Sequence, residues 1–260
     1  MIRTFDLKPR LRSGERAFGC WLELVSPLGA EIVAQAGYDC VLIDLEHGPG
    51  SLTDALVALQ AIQATAAAPL LRVPANDPVW IKRVLDLGLA GVMIPAVDSA
   101  AEAEAAVAAC RYPPRGRRGM AAPVARAAGF GAEWKRYVEI ADEALLVICQ
   151  IESRAAVEAA EAIAAVEGLD LLFIGPFDLS ANVGHLGEPD HPEVAEMIAS
   201  VEAAAKAAGK LLGAIPTPER DVGALLKAGY DLILPDVDSL LLRDSARTNL
   251  ARWRDGAGSC

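Results

Sequence analysis

Four short stretches carry residues able to do chemistry, and each lies in or directly after an apolar run. Val41-Leu42-Ile43 leads into Asp44-Leu45-Glu46-His47 and then a Gly48-Pro49-Gly50 turn. Two acids and a histidine at a strand end fit acid/base or metal-assisted chemistry, with an ion-paired turn as the alternative. Arg72 sits within Leu71-Arg72-Val73-Pro74. A charge in a buried strand must be paired or face a ligand, and the planar guanidinium fork suits a carboxylate. The run Leu145 to Cys149 ends in Gln150-Ile151-Glu152, and Leu171 to Ile174 ends in Gly175-Pro176-Phe177-Asp178. If those strands are neighbours, Glu152 and Asp178 meet at one mouth. Two unpaired carboxylates repel, and a hard divalent cation with oxygen ligands resolves the conflict. Pro176 lacks an N–H, so the amides of Phe177 and Asp178 are the donors this turn can offer to an anion.

The elements that position these groups recur. An Ala/Leu-rich helix end, a glycine and a short connector precede an apolar run four times, at Gly37, Gly88, Gly168 and Gly229. The glycine supplies the left-handed conformation that stops a helix, and the connector feeds a buried parallel strand. Runs at Phe18 to Leu22, Pro69 to Val73, Leu145 to Cys149 and Leu211 to Ile215 raise the strand count to eight. Helical patterns separate them, including Ser51 to Ala66, Ser99 to Cys110, Ser153 to Ala165 and Pro192 to Ala208. Ser99 and Glu102 have capping-box spacing. The pattern predicts an α/β fold, a (β/α)8 TIM barrel with residues 1–260 as one domain. A doubly wound sheet is the alternative, but no GxGxxG follows the first strand.

Arg111-Tyr-Pro-Pro-Arg-Gly-Arg-Arg-Gly119 breaks the rhythm. With the residues up to Asp142 it is expected to form a long βα connection on the face where barrel sites lie, serving substrate binding or, as the alternative, standing as a solvated basic loop or a subunit contact. A net charge of −11 offers no basic face for nucleic acid. No run approaches a membrane span, and the N-terminus has no signal-peptide apolar region, so a cytoplasmic location is expected. Cys20, Cys40, Cys110, Cys149 and Cys260 form no C-x-x-C pair and read mainly as reduced thiols.

Together, Asp44-Leu-Glu-His-Gly-Pro49, Arg72-Val-Pro74, Arg111 to Gly119, Gln150-Ile-Glu152 and Gly175-Pro-x-Asp-Leu179 make the chain resemble the HpcH/HpaI aldolase family over nearly its whole length. These are metal-dependent class II pyruvate aldolases. The resemblance implies that Glu152 and Asp178 bind Mg2+, Mn2+ or Co2+, and that His47 is the acid/base residue, oriented by Asp86. It implies that Asp44 holds a metal-bound water, that Gln150 lies beside the metal, and that Arg72 polarises the keto oxygen of pyruvate. The amides of Phe177 and Asp178 would hold the pyruvate carboxylate, and Trp21 would line the site. Met120 to Ala122 and Ile215-Pro216 are expected to contact the aldehyde. Further implications are a homohexamer with a C-terminal helix packed on a neighbour, and a place in aromatic or sugar-acid catabolism.

The expected reaction is reversible cleavage of 4-hydroxy-2-oxoacids to pyruvate and an aldehyde through a metal-stabilised enolate. The six lysines, Lys8, Lys82, Lys135, Lys206, Lys210 and Lys227, all lie outside the apolar strands and their carboxyl ends, which disfavours a Schiff base. Alternatives using the same enolate are a CoA-ester lyase of the citrate or malyl-CoA type and an oxaloacetate-type decarboxylase. A catalytically silent barrel is the reading from outside enzymology. Gly184 to Pro192, which holds His185 and His191, is expected to be mainly a structured loop.

Overall fold

Eight parallel strands close into a barrel in chain order: β1 (Ala17–Leu22), β2 (Cys40–Asp44), β3 (Ala68–Arg72), β4 (Gly91–Ile94), β5 (Leu146–Ile151), β6 (Leu171–Ile174), β7 (Leu211–Ala214) and β8 (Leu232–Val237). The computed structural model describes residues 5–257, leaving out the side chains of 256 and 257, and Cys260 lies outside that range. This is the (β/α)8 barrel the sequence predicts. All four junction glycines have positive φ, between +87° and +102°. That conformation is open to glycine at little cost, and it ends each helix just before its strand.

Strand parity divides the core into two shells. Cys40, Leu42, Leu70, Met93, Ile148 and Phe173 pack inside the barrel, whereas Val41, Ile43, Leu71, Val92 and Cys149 face the helices. Both faces of each strand are therefore apolar, which explains near-continuous hydrophobic runs in place of alternation. The four described cysteines are free, buried thiols. A short helix, Leu7–Arg12, plugs the base and adds Leu7 and Leu11 to the inner shell.

Helix boundaries depart from expectation in instructive ways. Ser99 caps its helix by accepting from the Glu102 amide, but the Glu102 carboxylate turns to the Asp98 amide, so the box is not reciprocal. The full capping box is at Ser51 and Asp54. The helix expected over Ser153 to Ala165 is two short pieces, Arg154–Glu158 and Ala160–Ala164.

The arginine-rich segment requires a correction. Helix Ala100–Cys110 has already carried the chain from the end of β4 back to the base, so the stretch from Arg111 to helix Trp134–Ala144 is an αβ connection. It lies at the amino ends of the strands, opposite the expected site. Arg111 is buried and donates to the carbonyls of Asp142 and Gly168. Arg118, 3 % exposed, stacks over Tyr112 and bonds Asp86 at 2.8 Å. Within the chain, these two arginines are structural.

Candidate active site

Asp44 and Arg72 are the last residues of β2 and β3 and are paired in register. By parity they continue the inward rows Cys40-Leu42 and Leu70, so both side chains enter the mouth. Asp44 is fully buried and takes the guanidinium in a fork, Nε to Oδ1 at 2.9 Å and Nη2 to Oδ2 at 2.5 Å. Arg72 Nη1 lies 3.0 Å from Glu46 Oε2 and donates to Gln150 Oε1 at 3.4 Å. The guanidinium also lies 4.6 Å over the Trp21 ring, which meets Phe173 edge-on. Burial works against the Arg72 charge, but Asp44 and Glu46 outweigh it and hold the group charged.

Asp44, the carboxylate expected to hold a metal-bound water, is engaged by Arg72. Asp44 anchors Arg72 and also accepts from the Glu46 amide at 3.0 Å, which fixes the turn presenting His47. His47 is exposed, and its ring hydrogen-bonds to no described residue.

Gln150 is the last inward residue of β5, 2 % exposed, and its amide donates to Glu152 Oε2 at 2.9 Å. Glu152 Oε1 accepts from the Ala96 amide at 2.7 Å. Burial lifts the Glu152 carboxyl to about 7; the Ala96 bond opposes this, while Asp178 and Glu46 add to it. Glu46 is also raised, first by burial, against the pull of Arg72 and His47.

Asp178 belongs to helix Pro176–Asn182, which follows β6 and begins after Gly175. A methyl at Gly175 would stand 3.1 Å from Glu152 Oε2 and 3.7 Å from Asp178 Oδ2. The two carboxylates thus flank one small space that glycine leaves open. Leu179 makes the first helical bond, to the Gly175 carbonyl, so the Phe177 and Asp178 amides precede it and are available to a ligand. An all-oxygen donor set with surplus negative charge fits a hard divalent cation. Above it opens a cavity of about 310 Å³, lined by Trp21, Glu23, His47, Arg72, Phe177 and Ile215 among others. Its size suits a small-molecule site.

Two expected members do not join this group within the chain. Asp86 caps the far end of helix Pro78–Leu85, at the base, where Arg118 holds it. It is therefore not the partner of His47 in this chain. Met120 to Ala122 lie in the basal connection, whereas Ile215 and Pro216 do reach the cavity. Phe177 is 44 % exposed at the rim. A separate group, His185, His191 and Glu193, brings three metal-capable side chains together. Its groups already serve each other. Glu193 pairs with Arg154 and His185, the two rings stack, and His191 Nδ1 caps the helix by accepting from the Glu193 amide. At the mouth, Glu152 and Asp178 are the carboxylates that could hold a cation.

The sequence reading missed Glu23, which lines the cavity, and the burial of Lys8. Lys8 lies at the base, 3.0 Å from Asp170, far from the mouth.

The family profile described as HpcH/HpaI aldolase/citrate lyase matches residues 17–244. The chain belongs to that family. It is an enzyme, a carbon–carbon lyase of the aldolase type. It is 43 % identical over 241 residues to a hydroxypyruvate/pyruvate aldolase of Chromohalobacter salexigens, covering 93 % of this chain and 94 % of that one. It is likewise 43 % identical over 236 residues to a 2-dehydro-3,6-dideoxy-6-sulfogluconate aldolase of Pseudomonas putida, covering 91 % and 92 %. An HpcH/HpaI aldolase/citrate lyase family protein of Burkholderia cenocepacia superposes with a TM-score of 0.92 at 40 % identity, covering 96 % of this chain and all of the other.

Proposed function

We propose that this enzyme reversibly cleaves 4-hydroxy-2-oxoacids to pyruvate and an aldehyde, with a divalent cation, Mg2+, Mn2+ or Co2+, at Glu152 and Asp178. The observation that carries this reading is the convergence of those two carboxylates over Gly175, beside a buried arginine. The name of a relative, hydroxypyruvate/pyruvate aldolase, supports the pyruvate reading and adds hydroxypyruvate as a second three-carbon unit to try.

A bound dication would supply Lewis acidity to the 2-oxo group. The chain's own groups supply the rest. Arg72 is pre-organised by Asp44 and Glu46, so its remaining N–H capacity can meet a developing oxyanion without reorganisation. The Phe177 and Asp178 amides are placed to take the substrate carboxylate. His47, exposed at the cavity and bonded to no neighbour, is free to take the 4-hydroxyl proton, directly or through water, and to return one to the carbon left behind. Trp21 and Phe173 form an apolar floor beneath the site.

The helix Asp238–Ala257 is 20 residues long, about 30 Å, and exposes Leu242, Leu250 and Trp253. Apolar residues on a helix that leaves its own barrel fit a subunit contact, and we propose a homo-oligomer, a hexamer by family resemblance. Four buried reduced thiols agree with a cytoplasmic location. The deciding experiment for the activity is pyruvate release from a panel of 4-hydroxy-2-oxoacids, with and without EDTA. Release that ignores the chelator, or a pyruvate adduct trapped by borohydride, would overturn the metal-based reading.

A further inference from the structure

We infer that Glu23 makes the acceptor end of this site selective for uncharged aldehydes, an inference that rests on the aldolase reading above. Glu23 follows β1 two residues after Trp21, so it extends the same inward row beyond the strand end. Its place is fixed by the start of the terminal helix. The Glu23 amide donates to Asp238 Oδ1 at 3.0 Å, and Ser239 Oγ donates to Glu23 Oε2 at 3.3 Å. Oε1 has no hydrogen-bond partner among the described residues, and the side chain is half-buried in the cavity wall.

Much of the rest of that wall is apolar. Phe177, Ile215, Pro216, Val237 and Leu240 are apolar. Among the described residues lining the cavity, Arg72 is the only permanent cation, and Asp44 and Glu46 already engage it. Glu46, Glu152 and Asp178 add further negative charge below. A dication would offset two of these charges, and the pyruvate carboxylate would restore one. An aldehyde bearing its own carboxylate or phosphate would enter a field of like sign, with no second permanent cation among the described lining residues to receive it. A neutral alkyl or hydroxyalkyl aldehyde meets apolar walls and one free carboxylate oxygen that can accept from a hydroxyl.

The test compares acceptors of matched length in aldol addition to saturating pyruvate: butanal against succinic semialdehyde, and glycolaldehyde against glyoxylate. In the unmodified enzyme kcat/KM should favour each uncharged member by about tenfold or more, the scale of one close like-charge contact. The preference should shrink as ionic strength rises, which requires no variant. Glu23→Gln should narrow the ratio by about the same factor, and Glu23→Lys should reverse it. An unmodified enzyme that prefers the anionic members, or ratios identical in all three proteins, overturns the assignment. Exchange of the pyruvate methyl protons with deuterated water, measured without aldehyde, separates the two claims. Exchange with the wrong acceptor preference removes the Glu23 inference alone, and absence of exchange removes the aldolase reading with it.

Discussion

The two ends of the barrel are built from the same residue types and handle charge in opposite ways. At the base, Lys8 and Arg12 both pair with Asp170, at 3.0 and 2.8 Å, while Lys210 donates to the Val166 and Leu169 carbonyls. Those groups line a cavity of about 550 Å³, larger than the one at the mouth. Size alone would place the site there, yet its cations and carboxylates satisfy one another. At the mouth, one arginine faces Asp44, Glu46, Glu152, Asp178 and Glu23, and Glu152 is lifted to about 7 chiefly by burial. Unbalanced charge is costly to a fold, and its persistence at one end only marks that end as functional.

The widest separation between the ends should come from chelation. EDTA is expected to depress cleavage by about 10³-fold or more, because Lewis-acid polarisation is worth several kcal/mol. Mg2+, Mn2+ or Co2+ should restore it, while the basal ion pairs and the fold are untouched. Full activity in EDTA would erase the distinction. Next in size is His47→Ala. The exposed ring supports no described hydrogen bond, so the variant should fold normally and lose aldol cleavage by about 10²-fold or more. Oxaloacetate decarboxylation should suffer less, since it needs no hydroxyl deprotonation. An unchanged ratio of the two activities would remove His47 from the role of hydroxyl base.

Arg72→Lys follows. A point-like ammonium cannot reproduce the two-toothed contact with Asp44, the reach to Gln150 and the stacking on Trp21 together. We expect kcat/KM to fall by about 10²-fold with the fold retained, the low end for loss of an oxyanion donor. Normal kinetics would make Arg72 a structural partner like its basal counterparts.

Much of the mouth is legible in sequence because strand parity is a local rule. Once Leu42 and Leu70 are inward, Asp44 and Arg72 must be inward too, and Gln150 follows Ile148 in the same way. Parity could also have found Glu23, two residues past Trp21. A single acid after an apolar run simply carried less obvious chemistry. What parity does not reach is the return path of a helix. The segment after Cys110 looks like an active-site loop by length and composition, but helix Ala100–Cys110 had already taken it to the base. Asp86 is displaced from His47 for the same reason, since it ends a helix that began at the mouth. The burial of Lys8 was not legible because nothing local announces that a six-residue helix will plug the barrel floor.

The base supplies the reciprocal test. Lys8→Met removes one partner of a buried pair and leaves Asp170 with Arg12 and the Val147 amide. Stability should drop by about 3 kcal/mol, at the low end for breaking such pairs, with kcat/KM per folded molecule unchanged. Denaturant unfolding beside active-site titration measures both quantities. A kinetic defect without a stability loss would show that the base communicates with the site.

The smallest effect, and the sharpest probe of the mouth, is the pH dependence of stability without divalent ions. Glu152 has a folded-state pKa of about 7, above its ordinary 4.5, so the folded protein holds a proton that the unfolded chain has released. Its contribution is fully present below pH 4.5 and is lost as pH rises through about 7. The metal-free protein should therefore melt about a few degrees lower at pH 8 than at pH 5 on this account alone. Glu152→Gln keeps the shape without the charge and should flatten that slope. A divalent cation supplies the missing counter-charge at pH 8, so it should raise the melting point of the unmodified protein there and do little at pH 5, where the proton competes for the same oxygen. In Glu152→Gln the cation should stabilise much less at either pH. A pH slope that survives Glu152→Gln would mean that the titrating carboxyl is elsewhere, with Glu46, also raised by burial, as the group to substitute next.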